Sequence, residues 1–495
     1  MTVYASSVLA QLLELFFEWR QIFPHEQTHR RAVELALAHC MNGERKTISN
    51  AILQAGKDQQ DWSSYYKVFS RSPWDAERLF EPIHKFWIAD HLERECEKRP
   101  LVAGIDTTGV KKTGKKIPHT QYFRDPMSPP FHVNLQWGQR LLDISALIPR
   151  DSMEKGPSRG IPILLKCCRR PRRPGRKASP EKQKEYKVAL ERCSLPRIAL
   201  QEVEKQRKRL DELGAAAQLL VMIGDGEFAN SKIFLAEWDR VAWLCRTRKD
   251  LALYYPWKAE TRNQGSNGRT RKYAEKAPTP DELRQDEQVP WKQTEVWVGE
   301  NPCVVKYKSL GGVLWKKARG QVVRILVTGG LPYRPPGARK KSYRDPAYLM
   351  YMGPELPDEW LVQWYVWRPE VEVNIRDEKQ LFGVGQAQVW SEKSVERCPE
   401  FAGAVYGCML VAALRANGNQ RGDFYLPLPR WNRRKPWQRP STQEILRKLR
   451  REIASAILQA KGNFEGFVDT ALVQRSPQKC PPDPVRAQLE LSGVG

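Results

Sequence analysis

The sequence predicts a mixed α/β fold, with a central sheet framed by helical segments at both ends of the chain. Three observations carry this. From Leu101 onward, short apolar runs meander and then alternate with helical stretches. The first hundred residues repeat apolar positions at helical spacing, and the last hundred do the same around a long apolar core segment. Between them lies a stretch punctuated by Gly, Pro and Asn that reads as a β-rich insertion.

Residues 1–98 form the first unit. Leu9, Leu12, Leu13, Phe16 and Phe17 make one helical stripe, and Ala32, Leu35 and Ala36 begin another. In "RKTISNAILQAGKDQQDWSSYYKVFSRSPWD", Thr47 or Ser49 caps a short helix ending near Gly56, and a second helix covers Trp62 to Phe69. Arg45, Lys46, Lys67 and Arg71 flank this pair, which fits either a helix-turn-helix or an ordinary helical subdomain. Residues 99–249 form the first part of the core. "LVAGIDTT", "FHVNLQWG" and "QRLLDISALIP" read as strands, with Gly138 at a turn between the last two. The basic connector "CCRRPRRPGRK" leads into a long charged helix from about Pro180 to Leu213. The strand "AQLLVMIGDG", a helix from about Phe228 to Trp238 and the strand "RVAWLCRTR" follow. Residues 250–345 are the insertion, and 346–420 resume the core with "AYLMYMG" and a helix from about Pro369 to Leu381. Residues 421–495 are a basic, helical C-terminal region.

Lys plus Arg outnumber Asp plus Glu by 82 to 57, a formal charge of +25. Such a balance favours polyanionic partners, because cations that neutralise phosphates release condensed counterions. The ten Cys are scattered without a C-x-x-C pair, as expected of reduced thiols in a cytoplasmic protein. Glu14 interrupts the N-terminal apolar stretch, and Phe401 to Leu414 is too short to span a bilayer, so no membrane association is expected. A basic RNA-binding protein is disfavoured, since no aromatic motif of the RRM type is visible.

Two acids stand at the ends of apolar strands: Asp106 in "IDTT" and Asp225 in "IGDGEF". Carboxylates in that position project into the crevice where α/β sheets bind ligands, and a divalent cation relieves their mutual repulsion. A third acid from the helix starting near Pro369 would complete a two-metal site. That segment, "WYVWRPEVEVNIRDEKQ", carries Tyr365, Arg368, Glu372 and Lys379 in the order Y-x2-R-x3-E-x6-K. Arg368, Glu372 and Lys379 fall along one helical face.

This pattern resembles the YREK signature of bacterial insertion-sequence transposases of the insertion-sequence-four superfamily, whose catalytic domain is RNase H-like. "IDTTGVKKTGKK" is similar to the family's first-Asp strand and "GDGEFAN" to its second, and the insertion lies where the family has one. The similarity covers most of residues 40–415. It implies a DNA transposase of the DDE type: Asp106, Asp225 and Glu372 bind two Mg²⁺ or Mn²⁺ ions, while Tyr365, Arg368 and Lys379 contact phosphates. It also implies a homodimer on the element's terminal inverted repeats, cut-and-paste strand transfer into target DNA, and a nucleoid-associated bacterial protein. Glu370 rivals Glu372, but only Glu372 keeps the spacing to Arg368 and Lys379. Lys46, Lys111, Lys112, Arg169, Arg170, Arg172, Arg173 and the tail's Arg433 and Arg434 are expected on the DNA backbone. Trp291, Trp297 and Trp315 in the insertion are candidates for stacking on a flipped base.

Overall fold

The computed structural model describes residues 7–93, 99–125, 128–129, 131–150, 156–257, 272–333, 340, 342–432, 438–460 and 464–473. In chain order the elements begin with helices α1 (Val8–Glu18), α2 (Glu26–Met41), α3 (Ile48–Gln54), α4 (Ser63–Ser70) and α5 (Glu81–Glu93). Strands β1 (Leu101–Lys111), β2 (Gln121–Arg124), β3 (Leu135–Pro149) and β4 (Ser158–Cys167) precede helices α6 (Pro180–Arg192) and α7 (Leu195–Glu212). Then come β5 (Leu220–Gly224), α8 (Ser231–Phe234), β6 (Val241–Arg246), β7 (Leu253–Pro256), β8 (Tyr273–Ala277) and α9 (Pro280–Gln285). The strands β9 (Lys292–Val298), β10 (Asn301–Trp315), β11 (Gln321–Thr328), β12 (Pro332–Tyr333), β13 (Ser342–Tyr343) and β14 (Ala347–Met352) follow. Helices α10 (Asp358–Trp367), α11 (Pro369–Gln380), α12 (Glu392–Asn417), α13 (Thr442–Gln459) and α14 (Phe464–Val473) end the described chain.

The core strands lie in the order β4-β3-β1-β5-β6. β3 runs antiparallel to both β1 and β4, while β1, β5 and β6 are parallel. This is the RNase H-like arrangement, with helices on both faces. On β1, Leu101, Ala103 and Ile105 point into an apolar cluster shared with α1, α2 and α12. Val102 points the other way, into a cluster with Leu361, Trp364, Trp367 and Val371 of α10 and α11. The alternation reflects the two-residue period of a strand buried on both faces. Of the insertion's described strands, only β12 and β13 form a separate two-stranded sheet. β14 pairs with β6 and β11, and β11 with β10, so the insertion's other strands extend the core sheet.

Several sequence expectations are corrected. Gly138 is not in a turn: β3 passes straight through it, because a Cβ there would lie 2.1 Å from the Val110 carbonyl oxygen on β1. β4 was not anticipated; it holds the apolar run "IPILL" just before the basic connector. The charged helix is two helices, since Ser194 and Pro196 restart it after Cys193. The helix expected over Phe228 to Trp238 shrinks to the single turn α8. Thr47 does cap α3, accepting the Asn50 N–H at 3.2 Å. No described helix is long and apolar enough to cross a membrane.

Candidate active site

Asp106 sits where β1 parts from β5. The parallel ladder ends at Gly104 and Ile223, while β1 continues beside β3 as far as Lys111. Asp106 therefore does not end its strand, as the sequence suggested; the antiparallel partner holds the outer half of β1 extended. Asp225 directly follows β5, and its Oδ1 accepts the Glu227 N–H at 2.8 Å across the turn. The two acids thus leave adjacent parallel strands at their C-terminal edge, where such sheets open a crevice.

The third acid comes from α11. Pro369 has no N–H to donate back into α10, so the helical run breaks there, and Arg368 joins the two helices with its own helical dihedrals. α11 then lies unusually close to the sheet. A Cβ at Gly104 would sit 2.3 Å from Val371 Cγ2, and one at Gly160 on β4 would sit 2.8 Å from Asn374 Nδ2. These glycines let the helix backbone approach, and sequence reading passed over both.

Arg368 gathers the acids. Its Nη2 donates to Asp106 Oδ2 at 2.8 Å and its Nη1 to Glu372 Oε1 at 2.7 Å. Burial pushes the Asp106 carboxyl up to about 6. Arg368 and the Thr107 N–H pull it down, while the charges of Asp225 and Glu372 push it further up. Burial alone would weaken the hold of Arg368 on its proton, but Asp106, Glu372 and Asp225 together outweigh it. Asp225 therefore acts electrostatically on the same cluster. The Glu372 side chain is 57% exposed, whereas Glu370 faces away. Both Glu370 oxygens bind the Arg439 guanidinium, at 2.9 and 3.0 Å, and Oε2 also accepts the Gly160 N–H. Lys379 Nζ donates to the Gly109 carbonyl at 2.9 Å, and burial lowers its pKa. Tyr365 is half-buried in the apolar cluster beneath α10. One feature without a clear sequence cue is Arg140. It binds the Thr107 hydroxyl at 2.7 Å and pairs with Glu227, tying the loop after β5 to β1.

The basic residues divide. Lys111 and Arg173 are exposed; Arg172 is exposed too, with one nitrogen on the Lys116 carbonyl at 3.1 Å. Arg170 is half-buried, and Arg169 grips both oxygens of Glu396 at 2.6 and 3.0 Å. Two expectations are corrected. Lys46 is only 6% exposed, and its ammonium binds the carbonyls of His39, at 2.5 Å, and Asn42 at the end of α2. Burial lowers its pKa to about 8. Lys112 gives its ammonium to the carbonyls of Gly385 and Ala387, at 2.7 and 3.2 Å. Both ammonium groups are thus turned inward onto backbone carbonyls rather than out to solvent. Arg433 and Arg434 lie outside the described residues. Among the tryptophans, Trp315 is buried against Phe234, so it cannot stack on a base. Trp297 is half-buried and bonded through its backbone to Gln363. Trp291 is 37% exposed, with the Lys308 ammonium 4.8 Å from its ring.

Another ligand-like cluster among the described residues joins His119, Glu392 and Glu396. His119 Nε2 lies 3.1 Å from Glu396 and 3.5 Å from Glu392. The Arg170 N–H donates to His119 Nδ1 at 3.3 Å, which leaves the neutral ring's proton on Nε2, where a metal would need the lone pair. Arg169 already holds Glu396, so this is an ion-paired clasp between the basic connector and α12.

A family model described as DDE superfamily endonuclease matches residues 18–302, more than half of the chain. The match includes Asp106 and Asp225 and ends before Glu372. No curated protein matches the chain.

Proposed function

The chain belongs to the DDE superfamily of endonucleases, and from that premise we propose that it is a DNA transposase with Asp106, Asp225 and Glu372 as its catalytic acids. Membership itself carries nuclease chemistry on DNA with divalent metal ions. Assignment to the insertion-sequence-four superfamily, pairing of inverted repeats by a dimer, cut-and-paste strand transfer and a place on the bacterial nucleoid belong to the proposal. The observation that carries it is the convergence of acids from β1, β5 and α11 around one arginine, Arg368.

The donors suit a hard divalent cation such as Mg²⁺ or Mn²⁺. All are carboxylate oxygens, and the burial that raises the proton affinity of Asp106 also raises its demand for a positive partner. Asp106, Asp225 and Glu372 would hold two such ions, which when bound neutralise charge on the attacking and leaving oxygens of the phosphodiester. In-line displacement asks the protein mainly for positioning and charge neutralisation. Arg368 holds Asp106 and Glu372 in one orientation, and its guanidinium is the proposed phosphate-binding cation. Lys379 on α11 and Tyr365 on α10 are the other proposed phosphate contacts. Trp291 is the stacking candidate that keeps an exposed face.

Excision of a marked element bounded by the gene's own flanking sequences tests the reading. Wild type excises in cells, while Asp106→Ala and Asp225→Ala, at matched protein levels, fall by a factor on the order of 10³ or more. A wild-type protein that binds the flanking DNA yet never excises it would instead indicate a silent DNA-binding descendant.

Lys111, Arg172 and Arg173 are the proposed backbone contacts. Lys111→Ala lowers the slope of log affinity against log salt by about 0.9. Lys46→Met leaves that slope unchanged and lowers the melting temperature instead, because it takes the ammonium away from the His39 and Asn42 carbonyls at the end of α2. Equal slope losses in the two variants would contradict the placement of Lys46.

A further inference from the structure

Beneath the acids, α11 is held to the sheet by a chain of buried polar contacts. The Tyr406 hydroxyl of α12 donates to Asn374 Oδ1 at 2.9 Å, and Asn374 Nδ2 donates to Ser145 Oγ at 3.0 Å. Ser145 Oγ donates to Asp143 Oδ1 at 2.7 Å. Asp143 in turn faces the carboxyl of Glu378 on α11, and the two buried groups interact directly. Both carboxyl groups are fully buried, and among the described residues Asp143 Oδ2 and both Glu378 carboxyl oxygens accept no hydrogen bond from any other group of the protein. Burial pushes both pKa values up, and a proton placed between the two carboxyls would satisfy both. The chain lies directly under the site: Asp143 is the cross-strand partner of Asp106, and Ser145 that of Gly104.

Such a network is an expensive way to attach a helix. Apolar side chains of similar volume would hold α11 at least as firmly. Hydrogen bonds differ from apolar contacts in fixing direction as well as proximity, so they oppose rotation or sliding of the helix. Val371 over Gly104 sets how close α11 lies, but a smooth apolar contact does not set its rotation.

We infer that Asp143, Glu378 and Asn374 are positioning residues that fix the rotation and axial setting of α11, and hence of Arg368 and Glu372, against Asp106. The inference rests on the reading of those acids as catalytic. None of the three positioning residues reaches substrate.

The test uses the full chain and a labelled duplex carrying the element's end. In Glu378→Leu, hydrogen exchange across residues 369–380 accelerates at least about tenfold, while β5, β6 and α12 exchange as in wild type. Cleavage at saturating duplex falls on the order of 10²-fold with KM within about twofold, as expected of misplaced rather than missing catalytic groups. Asp143→Asn stays within about threefold of wild type, because the amide keeps the side chain's shape and can donate to a Glu378 carboxyl oxygen. If Glu378→Leu does not fold, Asn374→Ala carries the same expectation at smaller amplitude, since it cuts only the Ser145 and Tyr406 links. Unchanged exchange in α11, exchange that rises across the whole chain, or an Asp143→Asn as damaged as Glu378→Leu overturns the inference. Exchange is read without catalysis, so a wild type that cannot cleave would sink the transposase reading and still leave the positioning role decided.

Discussion

Glu372→Gln is expected to slow cleavage of an element-end duplex at least about 10³-fold while leaving duplex binding within about twofold. Glu370→Gln, two residues earlier, should cleave at close to the wild-type rate and unfold more easily. The contrast follows from where the two side chains go. Glu372 joins Asp106 on the Arg368 guanidinium at the open edge of the sheet. Removing its charge takes away one of three anionic donors for a divalent cation but leaves the side chain's shape. Glu370 lies on the other flank of α11, forked by Arg439 and touching the Gly160 N–H. Its neutralisation leaves the largely buried Arg439 guanidinium with only Glu300 as a counter-charge, at a cost of about 1–3 kcal/mol given partial solvent access. Single-turnover cleavage, a binding titration and thermal unfolding, run on the same preparations, separate the two effects. A Glu370→Gln protein that folds normally and cannot cleave would reverse the assignment.

Gly104→Val should abolish most activity without touching any acid. Gly104 stands two residues before Asp106, and a Cβ there would fall 2.3 Å from Val371 Cγ2, far inside contact distance. Val371 is β-branched and cannot swing aside cheaply, so α11 must lift. Overpacking of this kind costs about 1–3 kcal/mol. The larger consequence is chemical, because lifting α11 carries Arg368 and Glu372 away from Asp106; a displacement of about 1 Å can cost on the order of 10² in rate. The steric account makes a sharper demand. Gly104→Ala should be milder, and Gly104→Ala combined with Val371→Ala should recover much of the lost rate. A double variant slower than Gly104→Ala alone would mean that the bare strand serves something other than helix approach.

How much was legible in advance depended on how local the information is. Helical stripes, the Thr47 cap and the Pro369 boundary are written in residues a few positions apart, so α1, α3 and α11 could be located from the chain alone. So could the candidate acids, since Asp106 and Asp225 follow apolar runs and Glu372 sits in a four-residue pattern. β4 escaped because a short apolar run next to a basic connector has no period of its own, and Gly138 looked like a turn because glycine at a close strand crossing reads the same as glycine in a bend. Charge misled in a consistent way. Lys46 and Lys112 look like DNA contacts in sequence, yet each ends on backbone carbonyls: Lys46 on the neighbouring His39 and Asn42, and Lys112 on Gly385, which sequence cannot bring near.

By itself, then, the sequence carried most of the order of elements, the polyanion-seeking charge and the candidate acids, all of which follow from residue type and short-range periodicity. Only the tertiary structure decided which glutamate faces Asp106, which lysines remain free, that the insertion extends the core sheet, and that buried Asp143 and Glu378 lie beneath the site. Those outcomes rest on contacts between residues separated by tens to hundreds of positions, where hydrogen-bond direction and the space left by a missing Cβ, rather than local propensity, set the geometry.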